Sequence, residues 1–267
     1  MRPNLKVIYV AGIYHSGSTI LDRSLSSLSN IVGLGEIHKF IIDGPEKLCS
    51  CGELAVKCPF WKNLLNLKCN YLEYYENIYL KFREIYGNKV ILLDSSKTSP
   101  FKILSANRKK WQGLLYWISK KNVDLYCIHL TRDPCSWVSS LMRRDNKKDK
   151  KKSIIHYFLH RDYIRLIQWY LSNLLLSFFI KSNKIKNLNV NYEDFCNNPL
   201  KTVNKIAKFV QYNHTVKDIN LLNSSSHIIV GNPSRNDPII NSRITLDERW
   251  KNEKRSSLFN LLFKIIR

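Results

Sequence analysis

The chain has 267 residues, 44% hydrophobic and 12% aromatic, which is enough apolar material for a full core and excludes a disordered polymer. Its 43 Lys and Arg against 21 Asp and Glu give a formal charge of +22. That excess favours an anionic partner such as a nucleotide, an acidic sugar polymer, nucleic acid or a membrane surface. The Lys-, Asn- and Ile-rich usage of AT-rich genomes produces the same excess, so charge alone names no partner.

In chain order, the apolar runs alternate between short strand-like pieces and longer helical ones. Val7–Ala11 reads as a strand, Ser18–Leu28 as a helix, Ile31–Leu34 as a strand and Leu72–Tyr86 as a helix. Val90–Leu93 and Leu125–Leu130 follow as strands, with a helix expected between them at Pro100–Lys120. Helices at Cys135–Arg143 and Ile154–Ser182, a strand at Leu188–Asn191 and a helix at Leu200–Tyr212 complete the alternation. The pattern predicts an α/β fold, a parallel sheet flanked by helices, in a single domain over residues 1–267. The charged tract 143–152 reads as a basic surface loop, with polyanion binding as its functional alternative, and Ser256–Arg267 as a short amphipathic helix packed on the domain.

The chain enters its first strand with no charged-then-apolar leader. Its longest apolar stretch, Leu166–Ile180, carries Gln168, Ser172 and Asn173 and is too short to span a bilayer. It reads as a buried helix. A cytoplasmic protein with no transmembrane segment is the expectation.

Two segments carry chemistry. Gly12-Ile-Tyr-His-Ser-Gly17-Ser18-Thr19 lies between a strand and a helix, where backbone N–H groups converge on a phosphate at a helix N-terminus. Its spacing is that of a nucleotide-binding P-loop, except that Ser18 stands where the lysine belongs. Without that lysine the loop can cradle a phosphate but is poorly equipped for a triphosphate. Farther on, Arg132 ends a strand, Asp133-Pro134 starts a helix, and Ser140 follows eight residues after Arg132. A guanidinium fork and a helical hydroxyl suit a phosphate. Pairing of Arg132 with Asp133 or Asp94 is the plainer structural alternative.

Further segments extend the pattern in order: Gly33-Leu-Gly-Glu36-Ile, Leu93-Asp-Ser-Ser-Lys97, Asn191-Tyr-Glu-Asp-Phe195 and Gly231-Asn-Pro-Ser-Arg235. Together with the loop and the Arg132…Ser140 pair, they resemble sulfotransferases that use 3′-phosphoadenosine-5′-phosphosulfate. The likeness is to bacterial members with the P-loop fold, nearer the tyrosyl-protein and carbohydrate branch, and runs from about Val7 to Trp250. It implies that His15, Ser16, Gly17, Ser18 and Thr19 hold the 5′-phosphosulfate and that Arg132 and Ser140 hold the 3′-phosphate. Arg235 is implied as a second contact to that phosphate, with an exposed loop arginine as the alternative.

The same resemblance implies that Lys97 meets charge developing on the bridging oxygen. Glu36 becomes the base that deprotonates an acceptor hydroxyl or amine, with His38 the competitor and a structural ion pair the bland alternative. His15 replaces the lysine or arginine usual before Ser-Gly, and is either a stabiliser of the leaving group or a plain loop residue. No metal is required by this chemistry and no nucleic acid is expected. The acceptor stays open, with an acidic glycan, a lipid and a small metabolite as candidates. The competing activities are a small-molecule kinase with a degenerate P-loop, for which Asp94 would serve as a Walker B carboxylate, and a non-catalytic nucleotide- or polyanion-binding protein.

Cys49, Cys51, Cys58 and Cys69 fall in an insertion at 45–70. CxC…C lacks the paired CxxC spacing of common zinc sites. Similar segments precede acceptor-side helices in bacterial sulfotransferases, so a stapled or packed lid, buried free thiols and a metal site are the three readings.

Overall fold

A computed structural model describes residues 4–37, 46–64, 70–98, 112–147, 161–221, 226–229 and 243–266. The elements run β1 (Leu5–Ala11), α1 (Ser18–Ser26), β2 (Ile31–Gly33), α2 (Tyr71–Tyr86), β3 (Ile91–Asp94), α3 (Gln112–Ser119), β4 (Val123–Thr131) and α4 (Pro134–Lys147). They continue with α5 (Asp162–Ser182), β5 (Asn187–Asn191), α6 (Tyr192–Asn197), α7 (Pro199–Phe209), a 3₁₀ turn at Arg249–Asn252 and α8 (Ser257–Ile266). All pairings are parallel and the strand order is β2-β3-β1-β4-β5.

Both faces of the sheet are covered, which is why its strands read as continuous apolar runs. Along β1, Val7, Tyr9 and Ala11 join a core with Phe82, Trp117, Leu176 and Ile180, while Ile8 and Val10 join another with Leu21, Leu25, Phe195 and Val203. A third cluster, Ile13, Trp137, Val138, Leu166 and Phe259, packs α4, α5 and α8 together, so the C-terminal helix is docked on the domain. α2 starts at a capping box. The Asn70 side chain accepts from the N–H groups of Leu72 and Glu73, and Glu73 accepts from the Asn70 N–H.

Each expected strand is present. Two other expectations change. The helix through Leu166–Ile180 is only half buried: Leu166, Leu176 and Ile180 face the core, while Leu174, Leu175 and Phe178 are exposed. The basic tract is not wholly a loop, because α4 continues through Lys147. Arg143 is drawn into ion pairs with Asp247 and Glu253, which hold this last part of the helix against the following chain. The helix proposed to begin at Pro100 is described from Gln112, and residues 148–152 of the tract lie outside the described residues. Among the described residues no helix is long and apolar enough to cross a membrane.

Candidate active site

β1 is central, with β3 on one side and β4 on the other, so the chain reverses its direction of growth across the sheet at β1. Open parallel sheets form a crevice at the carboxyl ends of the strands at such a point. Gly12–Thr19 leaves β1 there, Lys97 follows β3, Glu36 follows β2 and Arg132 follows β4.

The loop's shape depends on its glycines. Gly17 caps α1 with φ +94°, and a Cβ there would lie 2.2 Å from the Tyr192 ring. At Gly12 a Cβ would meet Ser16 Oγ at 2.7 Å and the Leu130 carbonyl oxygen at 3.0 Å. His15 is itself left-handed, at φ +63°. Ser16 and Ser18 are buried, and Thr19, in the first turn of α1, is half-buried.

The arginine after β4 is locked to this loop. Arg132 Nη1 donates to the His15 carbonyl at 3.0 Å and Nε donates to Ser136 Oγ at 2.8 Å. Its guanidinium lies 4.6 Å from the Tyr192 ring centroid, so one tyrosine supports both Gly17 and Arg132. The His15 ring completes the link: Nδ1 meets Ser140 Oγ at 3.1 Å and Nε2 meets Arg144 Nη1 at 3.3 Å. Arginine can only donate, so in this contact Nε2 accepts and Nδ1 is the nitrogen left to donate to Ser140 Oγ. Trp137 Nε1 donates to the Tyr14 carbonyl and Trp169 Nε1 to the Arg132 carbonyl, fastening the loop and the β4 end to α4 and α5.

A second pair stands at the other flank. Lys97 Nζ donates to Ser18 Oγ and lies 3.7 Å from Glu36 Oε1, both side chains being buried. The amine missing from position 18 is thus delivered in space from the end of β3. Main-chain bonds fix this geometry, with Thr98 N–H on Gly12 O at 3.1 Å and Ser95 N–H on Gly35 O at 3.0 Å. Asp94 is occupied otherwise. Its oxygens accept from Ser96 N–H at 2.8 Å and Trp117 Nε1 at 2.9 Å, and burial pushes its carboxyl up to about 6. It shapes the β3 turn rather than presenting a free Walker B carboxylate.

The described residues therefore bring His15, Ser16, Gly17, Ser18, Glu36, Lys97, Arg132 and Ser140 to one end of the sheet. His38 and Arg235 lie outside the described residues. Asp247 was not anticipated. It accepts from Arg143 at 2.8 Å and from Arg249 Nε at 2.7 Å, and stands 3.5 Å from Arg132 Nη2. The Arg249 hydrogen bond and its neighbours hold its carboxyl down at about 2. An acid within a strongly basic sequence reads as a scattered surface charge, so nothing local marks it.

Two buried donors bear on what the site could hold. Among the described residues, Ser16 Oγ and Arg132 Nη2 have no hydrogen-bond partner. Among these residues, Ser16 Oγ is without a partner and Arg132 Nη2 has only the Asp247 carboxylate at 3.5 Å, so both have donor capacity that an anionic ligand would use.

No protein-family model and no curated protein matches the chain. Among solved structures, it is similar to the sulfotransferase domain of the Synechococcus PCC 7002 olefin synthase. That match has 17% identity and a TM-score of 0.56, and covers 100% of this chain and 94% of that one. A sulfotransferase from Alicyclobacillus acidocaldarius matches at 16% identity and TM-score 0.47, over 83% of this chain and 85% of that one. A mouse sulfotransferase complexed with PAP matches at 15% identity and TM-score 0.49, over 98% and 82%. The first of these likenesses shows the fold: an α/β P-loop nucleotide-binding fold, its parallel sheet flanked by helices.

Proposed function

We propose that this chain is a sulfotransferase that moves a sulfuryl group from 3′-phosphoadenosine-5′-phosphosulfate to an acceptor hydroxyl or amine. The observation that carries the reading is the joining of the lysine-free loop to Arg132 and Ser140 through His15. Two anion-binding elements far apart in sequence thereby share one end of the sheet, as a nucleotide with phosphates at both ribose ends requires.

In this reading the loop amides, Ser16, Gly17, Ser18 and Thr19 receive the 5′-phosphosulfate at the positive end of α1. Arg132 and Ser140 receive the 3′-phosphate, and Arg235 is the proposed further contact. His15, bonded to Ser140, links the two phosphate sites and stands beside the leaving group. Glu36 takes the proton from the acceptor as its oxygen or nitrogen bonds to sulfur. The bond from sulfur to the bridging oxygen breaks, and its electron pair stays on the 5′-phosphate of the bisphosphate product. Lys97, placed between Glu36 and Ser18, meets that charge. A sulfuryl group carries less charge than a terminal phosphoryl group, so a single amine suffices without a metal at this centre. A basic protein suits an acidic glycan as acceptor, and a lipid or small metabolite fits the same chemistry.

Thermal-shift titration tests the donor class. Adenosine 3′,5′-bisphosphate should stabilise the protein with no added metal. Stabilisation by ATP–magnesium alone would refute the reading in favour of a kinase. Labelled donor incubated with fractionated extract of the source organism then identifies the acceptor by the class of molecule that gains sulfate.

A further inference from the structure

Away from the P-loop, Cys49, Cys51, Cys58 and His227 converge, each offering one ligand atom, with all four atoms within 4.8 Å of one another. The pattern that made a metal look unsuitable in the sequence, CxC…C without a second pair, lacks only its fourth member. His227 supplies it from 169 residues beyond Cys58. We propose that these four side chains form a structural zinc site.

The edge lengths fit one ion. Three thiolates and an imidazole around tetrahedral zinc, with Zn–S of about 2.3 Å and Zn–N of about 2.0 Å, require S···S edges of about 3.8 Å and S···N edges of about 3.5 Å. Four of the six edges are 3.7 Å for Cys51–Cys58, 3.6 Å for Cys49–Cys58, and 3.2 and 3.9 Å from His227 Nδ1 to Cys58 and Cys49, and the other two are within 4.8 Å. All three cysteines are free thiols, so no disulfide uses these atoms. An S₃N set of this size suits a single borderline-soft ion. Four protein ligands leave no open position, which makes the site structural rather than catalytic.

The surroundings are those of a ligand shell. Tyr86 OH meets His227 Nε2 at 2.8 Å, and Phe60 stacks on the imidazole with centroids 5.7 Å apart, so the ring is oriented with Nδ1 toward the sulfurs. The main-chain amides of Cys51, Glu53 and Trp61 favour the thiolate forms of Cys49, Cys51 and Cys58 in turn. The Cys49 thiol, followed by His227, holds Cys58 well below the ordinary thiol range. Zinc entering the cluster would form three Zn–S bonds and one Zn–N bond, with each thiol proton it displaces released to solvent.

The site would clamp three segments. His227 N–H donates to Gly33 O at 2.7 Å, at the end of β2 and three residues before Glu36. Ser50 N–H donates to Ile228 O and Ile228 N–H to Ser50 Oγ, both at 2.9 Å, while Trp61 Nε1 donates to His227 O at 2.6 Å. Residues 46–64 are otherwise short of regular structure, and one ion would tie them and 226–229 to the sheet edge.

The test is metal analysis of the full chain purified without chelator, beside cobalt(II) substitution. Zinc should be present at one ion per chain, and cobalt should give the intense visible bands of a tetrahedral thiolate site. Cys51 is exposed, so Cys51→Ser should fold yet lose stoichiometric zinc and the cobalt spectrum. Cys127→Ser, a buried thiol outside the cluster, should keep both. Substoichiometric zinc without thiolate bands in the wild type, a disulfide among these cysteines, or equal zinc in wild type and Cys51→Ser would each overturn the proposal. Should Cys51→Ser fail to fold, the wild-type cobalt spectrum still decides.

Discussion

Arg132→Lys separates a ligand-reading arginine from one that merely holds a loop. Arg132 spends Nε on Ser136 and Nη1 on His15 O, and retains Nη2, which makes no hydrogen bond among the described residues. Lysine keeps the charge but offers its donors from one point, so it cannot span Ser136, His15 O and a ligand phosphate together. Loss of one charge-assisted bond costs about 1.5–3 kcal/mol, or roughly 10- to 150-fold in affinity. The loss of stacking on Tyr192 falls on stability instead, at about 0.5–2 kcal/mol.

Calorimetric titration with two ligands distinguishes these effects. Adenosine 3′,5′-bisphosphate carries both phosphates, and adenosine 5′-monophosphate carries only the one assigned to the loop. Arg132→Lys should weaken the bisphosphate by the factor above and leave the monophosphate nearly unchanged, so that the wild-type preference collapses. Equal weakening of both ligands would mean that Arg132 acts only through the loop. No weakening of either would remove it from the site. Asp247 sharpens the contrast, since its carboxylate 3.5 Å from Nη2 is an anion that the incoming phosphate must outcompete or join. The preference should therefore also depend on salt.

Three further predictions follow the same geometry. Glu36→Gln should lower turnover by about 10²–10⁴-fold while bisphosphate affinity stays constant, as loss of a general base requires; retained turnover would move the base elsewhere, with His38 next. Gly17→Ala forces a Cβ at φ +94° into the Tyr192 ring and should destabilise by roughly 2–5 kcal/mol in denaturant melts. A Tyr192→Ala background should relieve the steric share, and an undiminished penalty there would contradict the contact. Asp22, buried and pushed up to about 7, keeps its proton in the native state at a pH where the unfolded chain has released it. Wild-type stability then falls as pH rises from about 4 to 7, by at most about 1.4 kcal/mol per unit. Asp22→Asn lacks this loss, so its melting temperature should gain on the wild type between pH 5 and 7 and then hold a constant lead. A pH-independent difference would show that Asp22 is not protonated in the fold.

What could be read from the sequence divides by range. The strands were legible because a sheet covered on both faces turns each strand into a short apolar run, as in Leu5–Ala11 and Ile91–Asp94. The P-loop was legible because its glycines answer to local backbone demands. α6 escaped notice because six residues carry no helical period, although Asn191, whose side chain accepts from Asp194 N–H, is a cap signal in plain view. His227, the fourth member of the cysteine cluster, was not legible on a different ground, since it reaches the three cysteines only through the path of the folded chain.

Position 18 shows the same limit from the other side. The sequence presents Ser18 as a defect in a Walker motif, because the motif is defined by neighbours along the chain. A binding loop is defined by neighbours in space, and parallel pairing of β1 with β3 sets Tyr9 beside Asp94. Three residues beyond Asp94, Lys97 reaches back to Ser18 Oγ and across to Glu36. An amine held there by β3 is fixed relative to Glu36, whereas a lysine on the loop would move with the loop. In the proposed sulfuryl transfer, this would couple the amine meant to meet the leaving group to the carboxylate meant to take the acceptor's proton, as a one-step transfer would require.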